Sequence, residues 1–215
     1  MKQYLVIIGA GGHSKDLMTI IDDLNLRDNV IAFAEDNDFY RKRTFFNKPV
    51  ITFSELDPMQ HSLILAVGDP FARHRIYTKL GDRFTYPSMI HPSVRIRDTS
   101  NIGNGALIFE GVIISHFTKI GNHSHINTRS IVTHDTIIDD FSSIAPCAML
   151  GGGCHIGKRT YLGAGVIVRD KITICENTLI GMGSLVTKSI STPGLYYGSP
   201  CKKVGDLDTS KSIFN

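Results

Sequence analysis

A six-residue repeat constrains this chain more than any other feature. The residues from Ile90 to Ser191 divide into 17 consecutive hexads. The first residue of every hexad is Ile, Leu or Val, and the fifth is Ser, Thr, Ala, Cys, Val or Ile. The fifth residue of one hexad and the first of the next are two apart, so both point to one side of a short strand. A period of six matches neither an amphipathic helix nor a series of hairpins.

The repeat therefore predicts a parallel β-helix. Three short strands per coil close a triangular prism, so 17 hexads make between five and six coils. A large aliphatic residue fills the interior, and a small or β-branched residue fits beside it. Glycine recurs at the second position of hexads, where we expect tight corner turns because glycine lacks a Cβ. These glycines are Gly103, Gly121, Gly151, Gly157, Gly163 and Gly181.

The residues before the repeat have the pattern of a small α/β unit. Three buried strands are predicted, at Tyr4–Ile8, Val30–Ala34 and Leu63–Val67. A helical pattern follows the first strand. After the third strand, Asp69 and Pro70 predict the N-cap and first residue of a second helix, which runs to about Leu80. We accordingly divide the chain into a front domain, 1–85, and a β-helix domain with a C-terminal tail, 86–215.

A glycine loop after the first strand points to a nucleotide. Glycines let a backbone approach a diphosphate, and the helix N-terminus offers free N–H groups to it. Glu35 and Asp36, at the end of the second strand, suit a ribose hydroxyl. A dinucleotide fingerprint requires glycine where Ser14 stands, and the front domain is too short for both halves of a dinucleotide fold. The loop thus favours a nucleoside diphosphate sugar over NAD. A plain strand-to-helix turn is the alternative.

Composition excludes several other classes. The chain is 42% hydrophobic and 20% charged, as in an ordinary globular protein. A net charge of +3 is too small to indicate nucleic-acid binding, and no apolar run is long enough to predict a membrane span. The start of the chain has the pattern of a strand and not of a signal peptide. Four cysteines without CxxC spacing fit a cytoplasmic protein with reduced thiols.

Four segments along the chain resemble one family. They are the glycine loop GAGGHSK, then AVGDPFAR, INTRSIVTHDTIIDDFSSIAP and the closing YYGSPCKKV. Together they are similar to the bacterial sugar O- and N-acyltransferases with hexapeptide repeats, which include sialic acid O-acetyltransferases and UDP-4-amino-sugar N-acetyltransferases. The resemblance covers nearly the whole chain. It implies a Rossmann-like front domain followed by a left-handed parallel β-helix, assembled as a homotrimer.

The resemblance also implies an activity and a site. The expected enzyme transfers an acetyl group from acetyl-CoA, without a metal, to the amine of a nucleotide-linked amino sugar, with UDP as the expected nucleotide. His134 is the implied general base, and Asp135 raises its basicity. The nucleotide sugar is expected at Gly11, Gly12, His13, Glu35, Asp36 and Gly68. Acetyl-CoA is expected along the coils between neighbouring subunits, near Ser143, Gly152, Ala164 and Met182.

The expected site departs from the family pattern at one residue, and the repeat contains further histidines whose roles must be considered. Many members have a second histidine where this chain has Ser143, in FSSIAP. Serine can still donate a hydrogen bond to the acyl donor, but it does not titrate near neutral pH. His116 lies 18 residues before His134, so the two should stack on one corner, roughly 5 Å apart by the spacing of strands. The remaining histidines of the repeat are interpreted as exposed surface residues; they are His123, His125 and His155.

Three alternatives stay open at this point. The acceptor could be a sugar hydroxyl, which would make the enzyme an O-acetyltransferase. Hexapeptide β-helices also include zinc-dependent hydratases that resemble γ-class carbonic anhydrases, and zinc would need three well-placed imidazoles and an open position. The chain could instead be a non-catalytic subunit that binds a nucleotide sugar.

Overall fold

The computed structural model describes residues 4–214, and its front part is an α/β unit. The strands of this unit are β1 (Tyr4–Ile8), β2 (Val30–Glu35), β3 (Thr44–Phe45), β4 (Lys48–Thr52) and β5 (His61–Leu65). Its helices are α1 (Gly12–Asp23) and α2 (Pro70–Leu80), with short 3₁₀ turns at Arg27–Asn29 and Phe53–Glu55. The three predicted strands are present. The small hairpin of β3 and β4 was not predicted.

The front sheet brings three strand ends to one edge. Its order is β3-β4-β2-β1-β5, and every pair except β3–β4 is parallel. Strand β1 lies between β2 and β5, and Val6, Ile7 and Ile8 are fully buried. Parallel strands end at the same edge, so the glycine loop, Glu35 and Gly68 meet there. In open parallel sheets this is the edge at which ligands bind.

Helix α2 begins where the sequence predicts. Asp69 is the N-cap, and its Oδ1 accepts hydrogen bonds from the backbone N–H of Phe71 at 2.9 Å and of Ala72 at 3.1 Å. Pro70 is the first helical residue, a position at which its missing N–H costs nothing. The helix ends at Leu80. A side-chain cap of this kind typically stabilises a helix by about 1 kcal/mol.

The repeat forms a parallel β-helix with three sheets, as predicted. Sheet 1 contains β6 (Met89–Ile90), β9 (Leu107–Ile108), β12 (His125–Ile126), β15 (Ser143–Ile144), β18 (Tyr161–Leu162) and β21 (Thr178–Ile180). Sheet 2 contains β7 (Arg95–Ile96), β10 (Ile113–Ile114), β13 (Ile131–Val132), β16 (Met149–Leu150), β19 (Ile167–Val168) and β22 (Leu185–Val186). Sheet 3 contains β8 (Asn101–Ile102), β11 (Lys119–Ile120), β14 (Ile137–Ile138), β17 (His155–Ile156) and β20 (Thr173–Ile174). We call the corners between them corner 1/2, corner 2/3 and corner 3/1.

The corner-turn role predicted for the second-position glycines is wrong. The corner residue with positive φ is the fourth of the hexad, for example Phe117 at 58°. The second-position glycines lack positive φ, and at five of the six the backbone of the next coil lies directly against them. At Gly181 the Tyr197 ring takes that place. A Cβ on Gly157 would lie 2.5 Å from the backbone nitrogen of Glu176, far inside van der Waals contact. Glycine is therefore required there for the stacking of coils.

The sixth position of each hexad gives each sheet its outer surface. Because three hexads make one coil, these residues recur every 18 positions on the same sheet. Sheet 1 presents Met89, Leu107, His125, Ser143, Tyr161 and Leu179. Sheet 2 presents Arg95, Ile113, Ile131, Met149, Ile167 and Leu185, and sheet 3 presents Asn101, Lys119, Ile137, His155 and Thr173. Sheet 1 packs against the front domain, where Met89 and Leu107 join the same buried cluster as Leu17 of α1.

The chain closes with a hairpin and a returning tail. Strands β23 (Gly194–Gly198) and β24 (Cys201–Gly205) extend sheet 1. The tail then runs back to the front domain, where Arg75 donates to the carbonyl of Thr209 at 2.6 Å. The backbone N–H of Ile213 donates to Oδ2 of the N-cap Asp69 at 3.0 Å. The end of the tail thus lies beside the glycine loop.

Candidate functional site

The His134–Asp135 pair lies on corner 2/3, directly after β13. Nδ1 of His134 is 2.8 Å from Oδ2 of Asp135. The two side chains are 65% and 61% exposed, so both are open to a ligand. Asp135 is the fourth residue of its hexad and has a φ of 59°, the left-handed conformation of a corner residue. A carboxylate that accepts from Nδ1–H leaves Nε2 as the free acceptor of the imidazole.

Gly152, one coil further along, supports the His134 ring. A Cβ at this position would lie 2.6 Å from Cε1 and 2.7 Å from Nε2 of His134. Any side chain would therefore displace the imidazole. The backbone N–H of Gly152 donates to Oδ1 of Asp170 at 2.7 Å, and that of Gly153 donates to the His134 carbonyl at 2.9 Å. These hydrogen bonds fix the backbone of Gly152 and Gly153 beside the His134 ring.

His116 lies one coil before His134 on the same corner. Its carbonyl accepts a hydrogen bond from the backbone N–H of Asp135 at 3.0 Å, which is the stacking that the 18-residue spacing predicts. Its Nδ1 lies 3.0 Å from the hydroxyl of Thr99, on the far side from His134. The His116 side chain is thus engaged with the preceding coil.

The other expected coenzyme positions lie on two different corners. Gly152 shares corner 2/3 with His134. Ala164 and Met182 lie on corner 1/2, between sheets 1 and 2, and both are exposed. Sheet 2 lies between these two corners within one chain.

The glycine loop lies over sheet 1, opposite corner 2/3. A Cβ on Gly11 or Gly12 would meet no other atom within 4 Å, so the space above these residues is open. The His13 ring turns inward, and its Nε2 lies 3.0 Å from Nδ1 of His125 on β12. The candidate nucleotide loop is therefore fixed to the face of the prism that lies opposite its own chain's His134.

A buried arginine joins the two parts of the chain at this face. Nε of Arg73, in α2, donates to the His123 carbonyl at 2.8 Å, and Nη1 donates to the Val67 carbonyl at 2.6 Å. Nη2 donates to the Phe141 carbonyl at 2.8 Å and to the Ser143 hydroxyl at 2.9 Å. Complete burial lowers the pKa of Arg73 to about 9, so the guanidinium remains charged at neutral pH.

Ser143 is part of this joint. Its hydroxyl accepts from Arg73 and donates to the Gly68 carbonyl at 2.9 Å. The side chain is 5% exposed. Both hydrogen-bonding functions of the hydroxyl are thus engaged within the protein, on the far side of the prism from His134.

His123 and His125 are buried and not exposed as the sequence had suggested. They are 3% and 2% exposed. The His123 ring stacks on Phe141, with centroids 4.9 Å apart. Burial, followed by the charge of Arg73, lowers the pKa of His123 to about 4 and that of His125 well below its ordinary value. The interpretation as surface residues was wrong because both face the front domain.

A cavity of about 720 Å³ opens at the carboxyl ends of the front strands. Glu35 forms a two-pronged ion pair with Arg43, with both N–O distances 2.8 Å. Asp36 pairs with Lys79 at 2.7 Å. The tail contributes to the wall of the cavity, which is lined by Gly9, Glu35, Asp36, Arg75, Lys79, Ser210 and Ser212. The cavity has room for a nucleoside diphosphate and charged groups of both signs.

Known proteins share both parts of this architecture. Residues 4–80 match the model of the PglD N-terminal domain, and residues 153–188 match that of the bacterial transferase hexapeptide (six repeats). A histidine-to-alanine variant of GDP-perosamine N-acetyltransferase from Caulobacter crescentus, solved with CoA and GDP-perosamine, is 30% identical and superimposes with a TM-score of 0.83. The likeness covers 94% of this chain and 97% of that one. This chain belongs to the family of bacterial sugar acyltransferases with hexapeptide repeats.

Two further relatives of this acyltransferase agree. GDP-perosamine N-acetyltransferase of Escherichia coli O157:H7 is 27% identical over 172 residues, which are 77% of this chain and 78% of the relative. The acetyltransferase domain of PglB from Neisseria gonorrhoeae, solved with acetyl coenzyme A, is 26% identical. That structure has a TM-score of 0.84, with 94% of this chain and 99% of the domain covered.

Family membership removes the hydratase alternative for this acyltransferase. Within residues 4–214, no three His, Cys, Asp or Glu side chains are grouped closely enough to hold a metal ion. Four histidines of the repeat that could have supplied imidazoles to zinc separate instead into an exposed corner, with His116 and His134, and a buried face, with His123 and His125. The same part of the chain contains no helix with the length and apolar character of a membrane span.

Proposed function

We propose that this acyltransferase moves an acetyl group from acetyl-CoA to the amine of a nucleotide-linked amino sugar, at sites shared between the chains of a homotrimer. The observation that carries the proposal is the His134–Asp135 pair, exposed on corner 2/3 above Gly152. Relatives across nearly the whole chain are named as acetyltransferases or N-acetyltransferases, and one was solved with CoA and GDP-perosamine.

The front cavity is the proposed site of the nucleotide. The open backbone of Gly11 and Gly12 at the start of α1 suits a diphosphate, because unpaired N–H groups lie at a helix N-terminus. Glu35 and Asp36 lie at the cavity wall, where a carboxylate can accept from ribose hydroxyls. Named relatives act on GDP- and UDP-linked sugars, so both bases belong in the assay.

An apolar stripe on sheet 2 supports the trimer. Ile113, Ile131, Met149 and Ile167 stand in register on four consecutive strands. Of these residues Ile113, Met149 and Ile167 are 40%, 43% and 47% exposed. Sheet 1 is covered by the front domain, and the outer positions of sheet 3 are mostly polar. A contiguous apolar stripe favours contact with another chain, and a closed ring of identical chains is the common solution.

This packing would complete the site. When the sheet 2 faces of three chains turn towards one axis, corner 2/3 of each chain meets corner 1/2 of the next. His134 of one chain then faces Ala164 and Met182 of its neighbour, with the neighbour's glycine loop on the adjoining sheet 1. Gly152 lies on a different corner of its chain from Ala164 and Met182. In the proposed trimer these positions come together, because the cleft for the coenzyme lies between two chains.

The proposed chemistry needs one base. Nε2 of His134 accepts a proton from the sugar amine as its nitrogen attacks the thioester carbonyl, while Asp135 accepts from Nδ1–H and stabilises the imidazolium. The C–N bond forms, the C–S bond breaks, and the proton passes to the departing CoA thiolate. Proton transfer by a placed histidine typically contributes about 10²–10⁴-fold.

A transfer assay tests the proposed activity. Purified protein is incubated with acetyl-CoA and a panel of GDP- and UDP-linked amino sugars, and products are identified by mass and by the position of the new acetyl group. N-acetylated product is expected. Acetylation of a hydroxyl alone would replace the proposal with O-acetyl transfer, and binding of an amino sugar without turnover would support the non-catalytic alternative.

Mixing of inactive chains tests the shared site. Because Gly152 lies under His134, a coenzyme-side variant must lie on the other corner, so His134→Ala is mixed with Ala164→Trp. Hybrid trimers contain sites with two intact corners, and activity should return. His134→Ala mixed with Gly152→Trp is the matched control, since every site then has a damaged corner 2/3. If the subunits are shown to exchange and both mixtures remain inactive, the whole site lies within one chain.

A further inference from the structure

The returning tail, residues 206–214, forms one wall of the front cavity. Ser210 and Ser212 line this cavity of about 720 Å³, together with residues at the carboxyl ends of β1 and β2 and along α2. The tail follows β24, which extends sheet 1 of the β-helix domain, whereas the cavity opens at the edge of the front sheet. The proposed nucleotide site is therefore built from two segments that are distant in sequence.

Asp69 holds the tail with the carboxylate oxygen that does not cap helix α2. Its Oδ1 accepts from the backbone N–H of Phe71 and of Ala72 at the start of the helix. Its Oδ2 accepts from the backbone N–H of Ile213 at 3.0 Å. Asp69 is 4% exposed, and hydrogen bonds to a carboxylate are stronger than those between neutral groups. One side chain thus fixes both the start of the helix and the tail.

A second contact fixes the tail against the β-helix domain. The Phe214 ring meets the Tyr161 ring of sheet 1 edge to face, with centroids 5.5 Å apart and planes at 80°. Phe214 also lies beside the residue that follows the third front strand, since a Cβ built on Gly68 would be 3.7 Å from its Cε2. The tail is therefore attached to both domains.

Between these contacts the tail bonds to Arg75, a cation of helix α2 that lines the cavity. Nη1 of Arg75 donates to the Thr209 carbonyl at 2.6 Å. A guanidinium has five N–H donors, so this bond leaves others available to a ligand. Lys79 lines the same cavity one helical turn further on, but its charge is paired with Asp36 at 2.7 Å. Arg75 is thus the better placed of the two cations to bind an anion.

We infer that the tail is a binding element of the nucleotide site, held by Asp69, and that it positions Arg75 to bind the diphosphate of the nucleotide sugar. The inference rests on the proposed function for the identity of the ligand. A guanidinium matches phosphate oxygens with a planar set of donors, which a lysine does not. The Thr209 carbonyl orients this group, because a bonded guanidinium has fewer conformations to lose when the ligand binds.

The tail can be released without removing the helix cap. In Asp69→Asn the side-chain oxygen still caps α2, while its amide N–H groups face the N–H of Ile213 and the bond to the tail is lost. Ile213→Pro removes the same bond from the other side and leaves Asp69 intact, so it also serves if Asp69→Asn fails to fold. Asp69→Ala removes both functions and is the matched comparison for loss of the cap, measured by thermal unfolding.

Titration calorimetry with GDP and with UDP, without acetyl-CoA, measures binding independently of activity. Asp69→Asn and Ile213→Pro should each weaken binding of the diphosphate about tenfold, the equivalent of one charge-assisted hydrogen bond. Unchanged affinity would show that the tail only packs against the domains. Tighter binding would show that the tail obstructs the cavity. Either result would overturn the inference.

A double-mutant cycle tests whether the tail acts through Arg75. Arg75→Gln, whose amide can still donate to Thr209, should also lose about tenfold in affinity, and adding Asp69→Asn should cost little more. Independent losses, about a hundredfold together, would overturn the link between the tail and Arg75. If the diphosphate binds as expected but no amino sugar is acetylated, the proposed activity fails and the inference stands. If wild type binds neither GDP nor UDP, the nucleotide site is refuted and the inference with it.

Discussion

The guanidinium of Arg73 donates to the hydroxyl of Ser143 at 2.9 Å, and this bond crosses from helix α2 to strand β15. It is one of several bonds by which a single buried charge joins the front domain to sheet 1. Arg73 thus holds the front domain and its cavity against the coils together with the His13–His125 contact and the apolar cluster that contains Leu107.

Arg73→Met should destabilise the protein by roughly 3–5 kcal/mol, because it leaves several buried carbonyls without a donor. Thermal unfolding at fixed protein concentration measures the loss. Arg75→Met is the matched control, since that arginine lies on the same helix but bonds only at the surface, to Thr209. Equal effects of the two substitutions would show that the buried bonds contribute little. If Arg73→Met fails to fold, Arg73→Lys, which keeps the charge, should give a smaller loss.

Gly157→Ala should cost more stability than Gly165→Ala. The first would place a Cβ 2.5 Å from the backbone nitrogen of Glu176, so two coils must separate. Gly165, the fourth residue of its hexad, has φ of +66° with open space around it. Alanine there costs the free energy of a left-handed backbone, about 1–2 kcal/mol. Urea unfolding of both variants gives the comparison. A larger loss at Gly165 would show that the close approach of the coils at Gly157 costs less than a left-handed alanine.

His134→Ala should reduce kcat/KM by about 10²-fold or more, because it removes the proposed base. Asp135→Asn should cost less, since its carboxylate supports the imidazole and transfers no proton itself. His116→Ala is the matched control on the same corner, where the ring bonds to Thr99 and not to His134. Initial rates with saturating acetyl-CoA measure all three. Activity of His134→Ala within a few-fold of wild type would remove it as the base.

Ile167→Asp should dissociate the proposed trimer, because it places a charge in the apolar stripe on sheet 2. The matched control is Thr173→Asp, an outer position on sheet 3. Sedimentation velocity over a range of concentrations measures the assembly of both variants. The Ile167 variant should also lose activity while its circular dichroism stays unchanged. A trimeric Ile167→Asp protein would show that a different face forms the interface.

Loss of stability in acid should be smaller in His123→Phe than in wild type. The pKa of His123 falls from 6.5 to about 4 on folding, so the unfolded chain binds more protons between these values. The His123 imidazole therefore costs the protein no stability above pH 6.5, and the free energy of unfolding declines as the pH falls from 6.5 towards 4. Between pH 8 and pH 5 the variant should lose about 2 kcal/mol less stability than wild type. Parallel pH profiles in urea unfolding would contradict this.

The repeat was sufficient to predict the coils because first and fifth positions report burial directly. From Ile108 to Val186, every first position is buried. The buried roles of His123 and His125 were missed because a polar residue outside those positions was taken to face water. For His125 the missing signal lay in the sixth positions. Taken every 18 residues, they divide into one series that is apolar after Arg95, one mostly polar series and one that includes His125 and Ser143. His123 is the fourth residue of its hexad and is outside these series.

The candidate site was harder to predict than the fold. His134 and Asp135 could be placed on an exposed corner from their hexad positions, and the structure has them there. The ion pairs of Glu35 and Asp36 with Arg43 and Lys79 depend on contacts between segments that no local pattern reports. The same holds for the tail, whose final residues return to Asp69 across the length of the chain.

The 18-residue recurrence also limits how such a chain can change in length. Deleting one hexad before His134 would rotate every later strand by one face, about 120° around the prism axis. The apolar stripe beyond the deletion would then lie under the front domain or towards solvent, and His134 would move to another corner. Removing or adding a whole coil leaves each later residue on its original face. Coil number can therefore change in steps of 18 residues, while a gap of six before His134 would separate this residue, in the proposed trimer, from the corner of the neighbouring chain.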